Sequence, residues 1–217
     1  RKQLSQFKGG GLAHACNAGQ LVALIISDVL GDPLDIIASG PTVADHSTPN
    51  DALAVLEELA VDSSDVPASI WRFLRDTTHN DILSVANTKR EVTNLVLANN
   101  DSALRASAEL AKQLGYATTL LPTTLRESTA ENVAQQLVQH VEQFARENNS
   151  NAQPICLLSG GEPIVQLAGE AVRGQGGRNQ QLVLAALHCI IETSPLLSEP
   201  ETIRFSLLSA GTDGEDG

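Results

Sequence analysis

The sequence has no methionine, one tryptophan, one tyrosine and four phenylalanines. Aromatics make up 3% and apolar residues 42%, so any core must be built from Leu, Val, Ile and Ala. Basic side chains are also scarce: 14 Lys and Arg against 26 Asp and Glu leave a formal net charge of −12. That balance argues against nucleic acid or an anionic membrane surface as a partner, because both are bound by basic faces. It leaves room for a small anionic substrate, which needs only a local positive site. The three cysteines, Cys16, Cys156 and Cys189, are an odd number in apolar contexts. They read as reduced core thiols of an intracellular, cytoplasmic protein. No Cys and His spacing suits zinc, and no run reaches the roughly eighteen apolar residues of a membrane helix. No signal-peptide pattern is expected in these residues. The chain begins at Arg1 and stops at GTDGEDG, inside a glycine-rich loop, so the expectation is a segment cut at both ends from a longer protein.

What is present centres on residues 154–181, PICLLSGGEPIVQLAGEAVRGQGGRNQQ. Ile155–Leu158 is a short apolar run that reads as a buried strand, followed by Ser159-Gly160-Gly161-Glu162. A second glycine cluster, Gly174, Gly176 and Gly177, leads through Arg178 and Asn179 into the apolar helix LVLAALHCII. Pliable backbone, a helix N-terminus and a guanidinium suit an anion: amide N–H groups point outward, and arginine binds carboxylate or phosphate bidentately. The same residues also fit two ordinary turns and a surface arginine, and neither cluster matches the dinucleotide or P-loop spacing.

Elsewhere strand and helix patterns alternate, which predicts parallel sheets wound with helices. LVALIIS at 21–27 reads as a strand buried on both faces. Ser47-Thr48-Pro49-Asn50 reads as a helix start, with ALAVLEELA continuing it, and residues 66–75 as a short helix with Ile70, Trp71 and Leu74 on one side. Further strands are expected at Asn94–Ala98, Ala117–Leu121, Ile155–Leu158, Pro163–Leu167 and Ile203–Leu208. Between them the pattern predicts a helix closed by Gly115, a long amphipathic helix over 129–147 with Val133, Leu137, Val141 and Phe144 at helical spacing, and a helix over 178–192. The polar stretch ENNSNAQ at 147–153 marks a domain boundary, giving 1–150 and 151–217.

Ligands of wound α/β sheets sit outside the carboxyl ends of the strands. The loops there are Ser27-Asp28, Asn99-Asn100-Asp101, Ser159–Glu162 and Ser209–Gly214. Their carboxylates either bind magnesium or orient a substrate hydroxyl, or simply cap helices and turns. Asp101 fits the cap. Glu162 and Asp213 are the candidate metal ligands because flanking glycines open the backbone to a ligand. Thr212 joins Asp213 as a substrate contact, and Ser39 and Gly40 lie in another small-residue loop, Ile37–Thr42. Arg1, Lys2 and Lys8 form a local basic excess that is either an anion contact or a frayed end. His14, His46, His79, His140 and His188 form no arrangement with a serine and a carboxylate.

FKGGGLA, LIISDVLGD, IASGPTVADHST, CLLSGGEPIV, GQGGRNQQLVLAAL and LLSAGTDGEDG, in this order, resemble the class II glycerate kinases, also called the glycerate 2-kinase or MOFRL family. The resemblance runs from Arg1 to Gly217. It implies transfer of the ATP γ-phosphoryl group to D-glycerate, giving 2-phosphoglycerate, with Mg2+ or another divalent cation. It also implies a Rossmann-like α/β domain followed by a second α/β domain, the MOFRL domain, starting near Gln153, with the active site in the cleft between them. Both domains would be truncated here. The family's cleft arginine matches Arg178, and its essential lysine lies upstream of this segment. Gly10-Gly11 stands where relatives often carry Gly-Arg or Gly-Lys. Together with the strand-end loops, this makes Arg178 and Asp213 the expected catalytic residues. Gly160, Gly161, Glu162, Gly176, Gly177, Asn179, Thr212, Ser39 and Gly40 are substrate or phosphate contacts. A homodimer is compatible with this reading. The competing readings are a hydroxypyruvate reductase-like oxidoreductase, against which stands the lack of a G-x-G-x-x-G after a strand, and a non-catalytic anion-binding fragment.

Overall fold

The structure, a computed structural model, describes residues 1–59, 65–77, 91–122, 128–147, 153–194, 204–212, 214 and 216. The chain divides into two compact units, Arg1–Asn99 and Asn100–Gly217.

The first unit holds a parallel pair of strands, β1 (Gln20–Ile26) and β2 (Glu91–Ala98). The register runs from Gln20 opposite Glu91 to Ile25 opposite Val96, then shifts so that Ile26 faces Ala98. β1 does not have two buried faces. Leu21, Ala23 and Ile25 are half-buried, while Val22, Leu24 and Ile26 are exposed, Ile26 by 78%. Alternate side chains of a strand point to opposite faces, and only one face is packed by the described residues of this unit. Among the described residues this unit also holds the helices α1 (Gly11–Ala15), α2 (Pro49–Glu58) and α3 (Ala68–Asp76). α2 starts as the sequence predicts. The Thr48 hydroxyl accepts from the Asp51 amide at 3.2 Å, the Asp51 carboxylate accepts from the Thr48 amide at 2.7 Å, and Pro49 fills the first helical position. Thr48→Ala removes the hydroxyl that accepts from the Asp51 amide and leaves the backbone half of the exchange, so urea unfolding should show a stability loss of about 1 kcal/mol. α3 packs against α2 and buries Leu74, with Ile70 and Trp71 half-buried on the same side and Arg75 stacked over the Trp71 ring at 5.5 Å.

The second unit holds β3 (Ala117–Leu120) and β4 (Ile155–Leu158), parallel and in register from Ala117 opposite Ile155 to Leu120 opposite Leu158. α4 (Asn100–Gln113) packs against both strands and ends at Gly115, whose φ of +91° suits glycine. α4 begins at Asn100, so of the expected capping stretch Asn99 precedes the helix while Asn100, Asp101 and Ser102 form its first turn, and Asp101 pairs with Arg105 one turn on, at 2.7 Å. α5 (Ala130–Glu147) and α6 (Arg178–Thr193) make the main core. Ala134, Val138, Ala186 and Ile190 form one buried cluster, and Ala130, Val133 and Leu182 the other. Fully buried alanines at this contact let the two helices approach closely. At the far end of α6 the buried Ser194 hydroxyl donates to Glu142 of α5.

Among the described residues two expected strands are not formed. Pro163–Leu167 contributes one bridge, Ile164 with Thr129, and Arg204–Leu208 carries no ladder among the described residues. β-propensity suits a chain to a sheet, but a strand exists only where a neighbour offers matching backbone groups. The cysteines are free, as expected, but each is half-buried rather than fully within the core. No helix among the described residues is long and apolar enough to cross a membrane.

Candidate functional site

In the first unit the carboxyl ends of β1 and β2 are tied together by polar side chains. The Ser27 amide donates to the Ala98 carbonyl at 2.9 Å, extending the ladder, and the buried Ser27 hydroxyl bonds Val29. The Asn99 amide nitrogen donates to the Asp32 carboxylate at 2.6 Å. Hydrogen bonds from Ser27 and then Asn99 hold the Asp32 carboxyl below its ordinary value. Asp28 is exposed.

Ser39 and Gly40 belong to a left-handed run: φ is +51° at Ala38, +64° at Ser39 and +63° at Gly40. Such backbone is disfavoured for Ala and Ser and persists only where the surroundings impose it. Here the glycine segment does so. The Gly9 amide donates to the Ser39 carbonyl at 2.9 Å, that of Gly10 to Gly40 at 2.7 Å, and that of Ala13 to Pro41 at 3.2 Å. The carbonyls of Ser39 and Gly40 are therefore engaged by the chain itself. Beneath them the buried Thr42 hydroxyl donates to Asn94 of β2. Lys2, part of the basic N-terminal excess, pairs with Asp35 and Asp45, each at 3.5 Å.

In the second unit β4 runs directly into Ser159-Gly160-Gly161-Glu162. Gly160 makes room for a neighbour: a Cβ there would lie 2.2 Å from the Asn100 side-chain oxygen, so the tip of that side chain would have to move. Gly161 and Glu162 are exposed. The Glu162 carboxylate pairs with the Arg178 guanidinium, so the structure brings together two residues sixteen positions apart that the sequence singles out. Both side chains remain substantially exposed, at 44% for Arg178 and 66% for Glu162.

Arg178 is the first residue of α6, and Gly177 before it offers no capping side chain. The vacant role is taken from a distant loop. Asp216 accepts from the Asn179 amide at 2.8 Å and from the Gln180 amide at 3.0 Å, using both carboxylate oxygens, and from the Asn179 side chain at 3.0 Å. The Asn179 side-chain oxygen in turn accepts from the Ser209 hydroxyl at 2.6 Å. Hydrogen bonding, led by the Asn179 amide, holds the Asp216 carboxyl below its ordinary value of 3.8. A depressed carboxyl favours the folded state above its unfolded value, and that contribution is lost as pH falls through the lower folded value.

Sequence reasoning assigned these helix amides to an external anion; in the structure the chain's own carboxylate meets them. Asp216 and Ser209 were missed. The signal available was negative: an apolar helix preceded by glycine, where Ser, Thr, Asp or Asn would serve as the cap. Gly177 follows from the same contact, since a Cβ there would lie 2.0 Å from the Asp216 carbonyl oxygen, whereas Gly176 meets only Gln180 at 3.9 Å. Thr212 is exposed, and Asp213 lies outside the described residues, as does His79. His14, His46 and His188 are exposed and His140 is half-buried on α5. Among the described residues no three His, Cys, Asp or Glu side chains converge to hold a metal ion. Two shallow grooves of this unit, along Gln139–Glu147 and between α5 and α6 at Glu131, Gln181 and His188, contain none of the site residues.

Chemically, this end of the unit presents one exposed guanidinium, held loosely by a single carboxylate that an incoming oxyanion could replace, beside a helix start whose dipole is already neutralised.

Residues 155–217 match the MOFRL family, and residues 1–75 match a domain of unknown function, DUF4147. Along its whole length the chain is 35% identical to a glycerate kinase of Mus musculus and 33% identical to a D-glycerate 2-kinase of Thermotoga maritima, and it covers 46% of each. The chain thus spans about half the length of the curated relatives it matches. The crystal structure of glycerate kinase from Thermotoga maritima superposes with a TM-score of 0.66 at 33% identity, over 88% of this chain and 42% of that one. The mixed α/β fold with small parallel sheets is the fold of that structural neighbour.

Proposed function

We propose, from the match of residues 155–217 to the MOFRL family, that this chain is part of a glycerate 2-kinase, which transfers the ATP γ-phosphoryl group to D-glycerate and releases ADP. Its whole-length likeness to glycerate kinases supports the reading, and the observation that carries it within the structure is Arg178. Phosphoryl transfer needs little covalent chemistry from the protein. The substrate hydroxyl oxygen forms a bond to the γ-phosphorus, the bond to the bridging oxygen of ADP breaks, and the hydroxyl proton leaves to a base. Positioning and charge neutralisation do most of the work. Arg178 takes the glycerate carboxylate or the transferring phosphoryl group, exchanging Glu162 for the ligand. Gly161 and Gly176 leave its approach clear, and Thr212 and Asp213 orient the acceptor hydroxyl.

Mg2+ belongs to the same proposal, because a divalent cation supplies the neutralisation that phosphate oxygens require. Glu162 and Asp213 are the carboxylates offered for it. Glu162 is engaged by Arg178, and the described residues do not by themselves form a cation site, so no step is assigned to the metal here. We place the boundary of the MOFRL domain near residue 151, with the Rossmann-like domain before it, the enzyme in the cytoplasm, and a homodimer as an assembly compatible with it.

The test is a coupled ADP-release assay on the full-length protein with D-glycerate, followed by identification of the product as 2- or 3-phosphoglycerate. Hydroxypyruvate-dependent NADH oxidation in place of ADP release would move the assignment to the reductase. For Asp213 the discriminating variant is Asp213→Asn, which preserves a turn while removing the charge. The expected result is a loss of glycerate-dependent turnover on the order of a hundredfold, as for a general base or metal ligand. Full activity with an unchanged magnesium requirement would reduce Asp213 to a turn residue.

A further inference from the structure

We propose that Asp216 is a positioning residue for the phosphoryl-transfer site, setting the first turn of α6 so that Arg178 faces the loop after β4 and Asn179 is held in one orientation. The proposal rests on the kinase reading above and deepens it. α6 begins without a capping side chain of its own, since Gly177 has none. A helix start leaves its first amides unsatisfied, and a frayed first turn would let Arg178, its first residue, lose a defined direction. The Asp216 carboxylate removes that freedom by accepting from the Asn179 and Gln180 amides at 2.8 and 3.0 Å.

The same carboxylate also fixes Asn179. Its side-chain nitrogen donates to Asp216 at 3.0 Å while its oxygen accepts from Ser209 at 2.6 Å, so the donor and acceptor ends of the amide are distinguished by different partners. The loop carrying Ser209 and Asp216 thereby grips α6 at both the backbone and the side chain of one residue. Gly177 completes the arrangement, because only a residue without Cβ admits the Asp216 backbone at 2.0 Å from the Cβ position. There is a consequence for anion recognition. With a carboxylate seated on the helix amides, a second anion gains little there, and substrate charge falls to the Arg178 guanidinium beside it.

The experiment is a double-mutant cycle in the full-length enzyme with ATP and D-glycerate, using Asp216→Ala, Arg178→Ala and both together. Asp216→Ala should lower kcat/KM on the order of 10–100-fold in the wild-type background and less than about threefold once Arg178 is gone, because the aspartate acts through the arginine. An equal loss in both backgrounds would mean a general structural role and overturn the proposal, as would wild-type kcat/KM in Asp216→Ala. Should that variant fail to fold, Asp216→Asn takes its place under the same criteria. It retains one acceptor oxygen but sets an NH2 donor where the second carboxylate oxygen accepts from a helix amide. Amide hydrogen exchange at Asn179 and Gln180 provides a reading independent of substrate: exchange should be at least about tenfold faster in Asp216→Asn than in wild type. Equal exchange would overturn the proposal outright. A wild-type enzyme inactive on glycerate would overturn the functional reading instead, and the exchange comparison would still decide whether Asp216 holds the helix.

Discussion

Arg178→Lys in the full-length enzyme is expected to lose on the order of a hundredfold or more in kcat/KM for glycerate while keeping its fold. A hundredfold corresponds to about 2.7 kcal/mol of lost transition-state stabilisation. That is the scale of a charge-assisted, bidentate contact rather than a simple Coulombic attraction. Lysine keeps the charge but presents a compact ammonium on a flexible stem, so it cannot span two oxygens of a carboxylate or phosphoryl group. Stability should barely change. The ion pair Arg178 makes with Glu162 lies between exposed side chains, and exposed pairs contribute roughly 0–1 kcal/mol. Steady-state kinetics set beside a thermal melt separates the two effects. Near-normal kcat/KM in the lysine variant would remove Arg178 from substrate recognition.

Gly177→Ala carries the second large expectation. The backbone at Gly177 is extended, with φ −154°, so alanine is conformationally acceptable there. The obstacle is space: the new methyl would lie 2.0 Å from the carbonyl oxygen of Asp216 and 2.5 Å from its carboxyl carbon. A carbonyl oxygen cannot swing aside as a side-chain tip can, so the loop must lift and the Asp216 carboxylate with it. The expected outcome is a fall in kcat/KM of about 10–100-fold with a stability loss of about 1–3 kcal/mol, the range for overpacking. Gly174→Ala is the control, since nothing lies within 4 Å of a Cβ there. If the two variants behave alike, Gly177 serves only as a turn former.

The helices were legible in the sequence because their signals are local. Thr48, Pro49 and Asp51 announce the start of α2 without help from the rest of the chain, Gly115 ends α4 through its own φ, and the apolar spacing of Val133, Leu137 and Val141 points to the buried face of α5. Arg178 was legible too, because two glycines, an arginine and an apolar run form a pattern within one short stretch. The resemblance to glycerate kinases rests on the same kind of information, short motifs in a fixed order.

Sheet pairing and the partners of the site residues were not legible, and the reason is common to both. Ile203–Leu208 and Pro163–Leu167 have the composition of strands, yet strand formation depends on a neighbour's backbone that the composition of the segment does not specify. LVALIIS has the composition of a doubly buried strand, yet what lies over each face is decided by packing far along the chain. At the site, which groups the helix amides of Asn179 and Gln180 meet depended on where residue 216 would be brought, 36 and 37 positions away. The sequence by itself determined the local conformations, the acidic balance, the aliphatic character of the core and the arginine at the head of α6. Tertiary structure alone decided that Glu162 meets Arg178, that Gly160 makes room for Asn100, and that Asp216 occupies the helix start where sequence reasoning had placed a ligand. Propensities, caps and turns are set by neighbours along the chain, whereas a carboxylate finds its donors through contacts that only folding creates.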